Sequence, residues 1–244
     1  MNKSNKFLSI FLFIIIWQSV AIIANSDVFP SVVDILKSFF EHLLHKDLIY
    51  HTGITLQRVF IAFIIAMIIG VFFGIIMGLF PKIDSLLDIF LIIGLNMPAL
   101  VTIIICYIWF GLTDFSAILA VIINKVPIII VNIREGIKSM DKKYLDLAKI
   151  YEIPKKDIIR KIYLPQIYPY IMATTRLTIS LVWKIVLVVE LLGRSDGVGF
   201  QIALFFQDFD ITSIFAYSFA FIFIVILIEK ILLNPLEIKM RRWR

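Results

Sequence analysis

The stretch ITLQRVFIAFIIAMIIGVFFGIIMGLF, residues 54–80, decides which solvent this chain folds in. It carries one charged residue, Arg58, and then runs to Pro81 without another. A membrane-spanning helix needs about 20 consecutive, mainly apolar residues, and this run exceeds that. It also hides a repeat: Ala62, Ala66, Gly70, Gly74 and Gly78 recur at every fourth position. A helix places such a series on one ridge. Small residues on a ridge let backbones approach closely, which is how helices associate in lipid. The ridge is expected to pack against another helix, at the centre of a bundle or at a subunit interface.

Five further apolar runs flank it, at 7–24, 89–110, 115–133, 169–192 and 212–233. The prediction is an all-α membrane protein with six transmembrane helices in a single domain, 1–244. Composition agrees, with 61% apolar residues, 17% charged and a mean hydropathy of +0.97. An average soluble domain is roughly 45–50% apolar and about 25% charged. A soluble enzyme, a nucleic-acid-binding domain and a disordered chain are all disfavoured. Pro98 and Pro127 fall inside predicted spans and are expected kink positions. Cys106 is the lone cysteine, so no intrachain disulfide can form. Lys3 and Lys6 also fit a signal peptide, with Ser19-Val20-Ala21 as a cleavage site. The apolar run continues past Ala21, and the first span is expected to be retained.

The net charge of +6 has a location rather than a nucleic-acid partner. With the N-terminus inside, sixteen of the 24 Lys and Arg residues fall on inner segments: Lys3, Lys6, Lys82, nine from Arg134 to Lys161, and Lys239, Arg241, Arg242 and Arg244. Only Lys37, Lys46 and Arg194 fall on outer ones. Inner loops carry the basic excess, so both termini are expected in the cytoplasm. Between the first two spans, residues 31–45 place Val32, Val33, Leu36, Phe39, Phe40, Leu43 and Leu44 at helical spacing opposite Asp34, Lys37, Glu41 and His45. This predicts an amphipathic helix on the outer leaflet. His42, His45 and His51 cluster nearby, and a His-x-x-His pair can ligate a metal. No carboxylate or cysteine completes a recognised set, so they are read as a solvated polar face, with no metal.

The inner segment 134–168 is too patterned for a connector. Leu145, Ala148 and Tyr151 step by three within 141–151. Pro154 interrupts, at a good first position for a new helix. Ile158, Ile159, Ile162 and Tyr163 then share a face, and Leu164-Pro165 is expected to end that helix. Two short amphipathic helices meeting at a bend offer a docking site for a protein partner. The competing reading lays them on the anionic inner leaflet of the lipid.

Asp146-Leu147-Ala148, Glu152, Ile162 and Leu164-Pro165 together resemble the EAA loop of ABC-importer permeases, whose pattern is Glu-Ala-Ala, three residues, Gly, nine residues, Ile, one residue, Leu-Pro. Asp146 keeps the charge of the family's Glu, Leu147 adds bulk, and Glu152 stands where the family has its turn glycine. The bend would then rest on Pro154. The resemblance extends over roughly 55–240. Trp109-Phe110-Gly111, Trp183 to Glu190, and Glu190-Leu191-Leu192-Gly193 through Gly197-x-Gly199 are similar to the six-span branch importing nitrate, sulfonates, taurine and thiamine precursors.

That resemblance implies a permease domain in the bacterial cytoplasmic (inner) membrane. It implies a second permease subunit, in a homodimer, and two cytoplasmic ABC ATPases whose clefts receive the loop. A periplasmic or lipid-anchored substrate-binding protein would deliver the solute. No cofactor is expected on this chain, with ATP and Mg on the partner ATPase, because no G-x-x-x-x-G-K-[ST] occurs here. The chain is expected to be non-catalytic.

Ionisable residues inside spans are costly and point to function. Lys125 lies mid-span before Pro127; Lys184 follows Trp183, with Glu190 six residues further out. Lys184, Lys125, Glu190 and Trp183 are candidates for a pathway attracting an anion, or for a structural pair through Glu190. Arg58 and Arg176 are expected to snorkel. The alternative function is a secondary transporter or channel independent of ATP, although no inverted repeat is visible. An intramembrane enzyme lacks a nucleophile–base or metal constellation.

Overall fold

The computed structural model describes residues 3–26, 28–45 and 47–233. Lys46, Lys239, Arg241, Arg242 and Arg244 lie outside the described residues, as do the side chains of Lys3, Lys6 and Leu145. Every described element is helical. In chain order they are α1 (Lys3–Ala24), α2 (Val32–Leu44), α3 (Asp47–Leu79), α4 (Pro81–Asn96), α5 (Ala99–Phe110) and α6 (Asp114–Lys138). There follow α7 (Lys142–Ile150), α8 (Lys155–Ile158), a π-helical turn (Ile159–Tyr163) and α9 (Leu164–Gly193). Then come α10 (Val198–Gln207), α11 (Ile211–Ile228) and a second π turn (Glu229–Leu233).

Three helical segments are long and apolar enough to cross a membrane: Asp47–Leu79, Asp114–Lys138 and Ile211–Ile231. A fourth appears if α4 and α5 count as one span, although they are bent by 97°. The expected continuous helix over 89–110 is therefore broken. Met97 is extended (φ −72°, ψ 121°), because the ring of a following proline disfavours the α conformation. Pro98 also has no N–H to continue the ladder.

The chain divides into two compact units, Met1–Leu56 with Glu190–Arg244, and Gln57–Val189. In the first unit, Trp17 of α1 stacks on Phe29 at 4.9 Å and meets Phe215 of α11 edge-on at 5.2 Å. Its indole N–H donates to the Pro30 carbonyl at 3.0 Å. Ser31 caps α2 by accepting the Asp34 N–H at 3.1 Å, as its position ahead of the apolar pattern favours. The α2 helix packs on α11. Ser38 Oγ and His42 Nε2 each lie 3.1 Å from Ser213 Oγ, and the His42 ring lies against Tyr217 at 5.1 Å. His42 is thus not on a solvated face, contrary to the sequence expectation. The apolar side chains left exposed on α2 are Val33, Leu36, Phe40 and Leu44.

In the second unit the small-residue ridge of α3 faces α6. A Cβ added to Gly70 would lie 2.5 Å from Ile129 Cγ2, and one on Gly74 2.7 Å from Ile133 Cβ. At Gly78 the obstacle is Ile137 Cβ at 2.5 Å, so a ridge of isoleucines at the same four-residue step fills the groove. Ala62 and Ala66 continue the ridge and are fully buried. Pro127 inside α6 is met by Gly94 of α4, where a Cβ would come within 2.7 Å of the proline ring. Thr113 and Ser116 form a capping box at the start of α6. Arg58 does not snorkel: it is buried, and both Nε and Nη2 lie 2.7 Å from Asp114 Oδ1. At the other end of α6, Arg134 Nη1 reaches Asp84 at 3.0 Å and Asp88 at 2.6 Å on α4. Lys138 Nζ lies 2.7 Å from Asp84. These two cations therefore belong to α6 and not to the loop assigned to 134–168.

Candidate functional site

The loop proper begins after Ser139. Asp141 Oδ1 accepts the Lys143 N–H at 2.9 Å and so caps α7, while the Asp141 N–H donates to Gln166 of α9 at 3.0 Å. Ala148, at the third position of the motif, is buried (1% exposed). Tyr144, Leu147, Ile150 and Tyr151 are exposed. Tyr144, Leu147 and Tyr151 share one helical face, so this nine-residue helix turns an apolar side outward. Asp146 and Glu152 are exposed beside it.

The end of α7 is a left-handed cap. Glu152 has φ +49°, and the Ile153 N–H donates to the Ala148 carbonyl five residues back at 2.9 Å. That is the long bond of a Schellman motif, which a glycine usually closes because it adopts positive φ without steric cost. The bend therefore rests on Glu152, in the glycine's place and the glycine's conformation. Pro154 serves only as the cap of α8. Leu164-Pro165 ends nothing: α8 passes through the π turn, where Ile162 sits, directly into α9. A proline ring clashes with the carbonyl four residues earlier in a regular helix. A wider turn just ahead of Pro165, with the Leu164 N–H on the Ile159 carbonyl, relieves that clash.

At the far end of α9, Glu190 is fully buried and lined by polar partners. Its Oε2 takes hydrogen bonds from Thr55 Oγ at 2.8 Å and the Gly199 N–H at 2.9 Å. Thr55 Oγ in turn accepts the Val198 N–H at 2.8 Å. His51 Nδ1 accepts the Gly197 N–H at 3.0 Å, and its Nε2 lies 2.7 Å from the Gln201 amide. The Gln201 atom that faces the ring is its amide nitrogen, Nε2. The first amides of α10 are thus satisfied by Glu190, Thr55 and His51 instead of by a local cap. Gly197 has φ +104°, and a Cβ there would overlap the Glu190 carboxylate, which accounts for the glycine at 197. Thr55 was not singled out from the sequence, and His51, expected on a solvated polar face, is half-buried and accepts a backbone amide instead. The only signal for them was an unexplained carboxylate just ahead of a glycine turn.

The other candidates separate. Trp183 is buried, Lys184 beside it is exposed, and Lys125 is half-buried on α6. Among the described residues, no group of three or more His, Cys, Asp or Glu side chains could hold a metal ion.

Residues 68–233 match the family described as binding-protein-dependent transport system inner membrane component. The chain belongs to that family: it is a permease subunit of an ABC importer, a non-catalytic, multi-pass component of the inner membrane. It is 28% identical over 233 residues to a Bacillus subtilis (strain 168) protein named for aliphatic sulfonates transport, the permease SsuC, covering 95% of this chain and 84% of that one. It is likewise 28% identical to the nitrate import permease protein NrtB of Synechococcus elongatus, over 78% of this chain and 72% of that one. Its fold is similar to a chain of the MetNI methionine ABC transporter in an inward-facing structure, with TM-score 0.58 and 16% identity over 72% of this chain and 88% of that one.

Proposed function

We propose that this permease carries a small anionic solute of the sulfonate, nitrate or taurine kind, with a thiamine precursor as the other substrate class of the same branch. Lys184 carries this reading. It is exposed on α9 while its neighbours Trp183 and Ile185 are buried. A cation at that depth is costly against acyl chains, so it faces water or protein. In a homodimer two copies of Lys184 would make a positive focus on the pathway. Lys125 is the second candidate, and Trp183 supports the wall. Glu190 is better read as the anchor of the α10 turn than as a pathway group.

Six spans with both termini in the cytoplasm fit the placement of the basic residues. The exposed Tyr144–Leu147–Tyr151 face would dock on a cytoplasmic ATPase subunit, one per permease copy, with ATP and Mg bound there. A periplasmic or lipid-anchored binding protein would deliver the solute. The small-residue ridge keeps α3 and α6 together as one piece during the cycle.

The test is ATP-dependent uptake in vesicles holding the permease, its ATPase and its binding protein, with sulfonates, nitrate and a neutral heterocycle as substrates. Lys184→Gln is expected to impair anion uptake while the complex still assembles. Unchanged uptake at normal membrane levels overturns the pathway role. Uptake that persists without the ATPase overturns ATP coupling.

A further inference from the structure

Glu152 is held against two physical costs that a glycine at the same place would not incur. Its backbone is left-handed, at φ +49°, a conformation in which the Cβ of an L-residue crowds the neighbouring carbonyl. Its carboxylate also stands just past the C-terminus of α7, where the helix dipole presents its negative end. It lies two residues ahead of the Pro154 cap, outside the first turn of the following helix.

Nothing described in the chain offsets those costs. Lys155 and Lys156 follow three and four residues later, yet neither forms an ion pair with Glu152, and the side chain is exposed. By contrast Lys161, in the same loop, does pair with Asp157 at 3.0 Å. Among the described residues of the loop, no cation pairs with Glu152. Strain held at a defined position, with an unspent charge attached, points to a contact made with another molecule.

We infer that Glu152 is a partner-selecting residue: its carboxylate pairs with an arginine or lysine in the cleft of the ATPase subunit that receives α7. The placement supports this, because Glu152 adjoins the exposed Ile150 and Tyr151 at the tip of the apolar face. Burying that face around it would exclude water and strengthen an ion pair formed there. The apolar face supplies adhesion to any ATPase of the right shape. The carboxylate discriminates in favour of one with a cation at that point and against one with an acid. This inference rests on the reading of α7 as the ATPase-docking helix.

The experiment titrates the ATPase subunit onto the full-length permease in lipid nanodiscs, at low and high salt. Glu152→Gln is expected to weaken binding about tenfold, the size of one interfacial charge pair, and to flatten the salt dependence. Glu152→Gly should weaken it similarly although the turn is better formed, and Glu152→Lys should weaken it further. Exchanging a cleft cation for glutamate should restore the Glu152→Lys permease. Wild-type affinity and salt dependence in Glu152→Gln and Glu152→Gly would overturn the inference, leaving Glu152 a turn residue only. Leu147→Arg separates the two levels. If it binds the ATPase normally, the docking face itself is wrong; if it abolishes binding while Glu152→Gln is silent, only the selecting role fails.

Discussion

Thr55 and Glu190 lie 135 residues apart in sequence and share a hydrogen bond of 2.8 Å. Through it the beginning of α3 and the end of α9 hold the first amides of α10, in a site with no solvent to substitute for a lost partner. Glu190→Ala is therefore expected to cost about 1–3 kcal/mol, since it leaves the buried Gly199 N–H without its acceptor. For a chain of this size each kcal/mol lowers Tm by about 2–4 °C, measurable by thermal unfolding in detergent. Glu190→Gln keeps one acceptor oxygen and should lose far less.

The contact of Gly70 with Ile129 predicts a compensating pair. Gly70→Ala places a methyl 2.5 Å from Ile129 Cγ2, and overpacking of this kind costs about 1–3 kcal/mol. Ile129→Ala alone leaves a cavity. The double variant should be more stable than the sum of the single losses allows, and a double-mutant cycle reads that coupling directly. Strict additivity would mean that α3 and α6 do not approach as described.

Arg134 bridges Asp84 and Asp88 through one guanidinium nitrogen and Glu135 through another. Lysine cannot reproduce that fork. Arg134→Lys should lower stability by about 1–2 kcal/mol, with the deficit shrinking as salt is raised because Asp88 is partly exposed. Parallel unfolding curves at low and high ionic strength check both claims.

Glu152→Gly is expected to stabilise the folded loop by about 1 kcal/mol by removing the left-handed penalty. A β-branched residue such as valine should destabilise it. The Ile153 amide, bonded to the Ala148 carbonyl, reports the change through slower or faster hydrogen exchange.

Local pattern and solvent explain what could be read in advance. Apolar runs pointed to most of the helical segments, though not to α10, and the four-residue series in α3 announced a close approach whose partner, the isoleucines of α6, lay hidden among many others. The break at Met97-Pro98 was legible only as a kink, since its 97° bend depends on what packs around it. Arg58 looked like a snorkelling side chain because Asp114 is 56 residues away and reads simply as the start of a helix. Glu190 suggested a pathway charge because Thr55 and His51 are ordinary residues at the foot of another helix. Turn chemistry misled in a different way. Positive φ is normally signalled by glycine, so a glutamate there concealed the true position of the bend.

The π turn at Ile159–Tyr163 changes how the helix beyond it must be counted. One residue is looped into a wider coil, so positions before and after it are out of phase by about 100°, the rotation of a single residue in a helix of 3.6 per turn. Side chains that a continuous α-helix would align across 158–165 therefore point in different directions. The loop and α9 keep one backbone while addressing two separate azimuths. Removing one residue within the turn would rotate every side chain of α9 relative to α7, a change of phase without a change of composition.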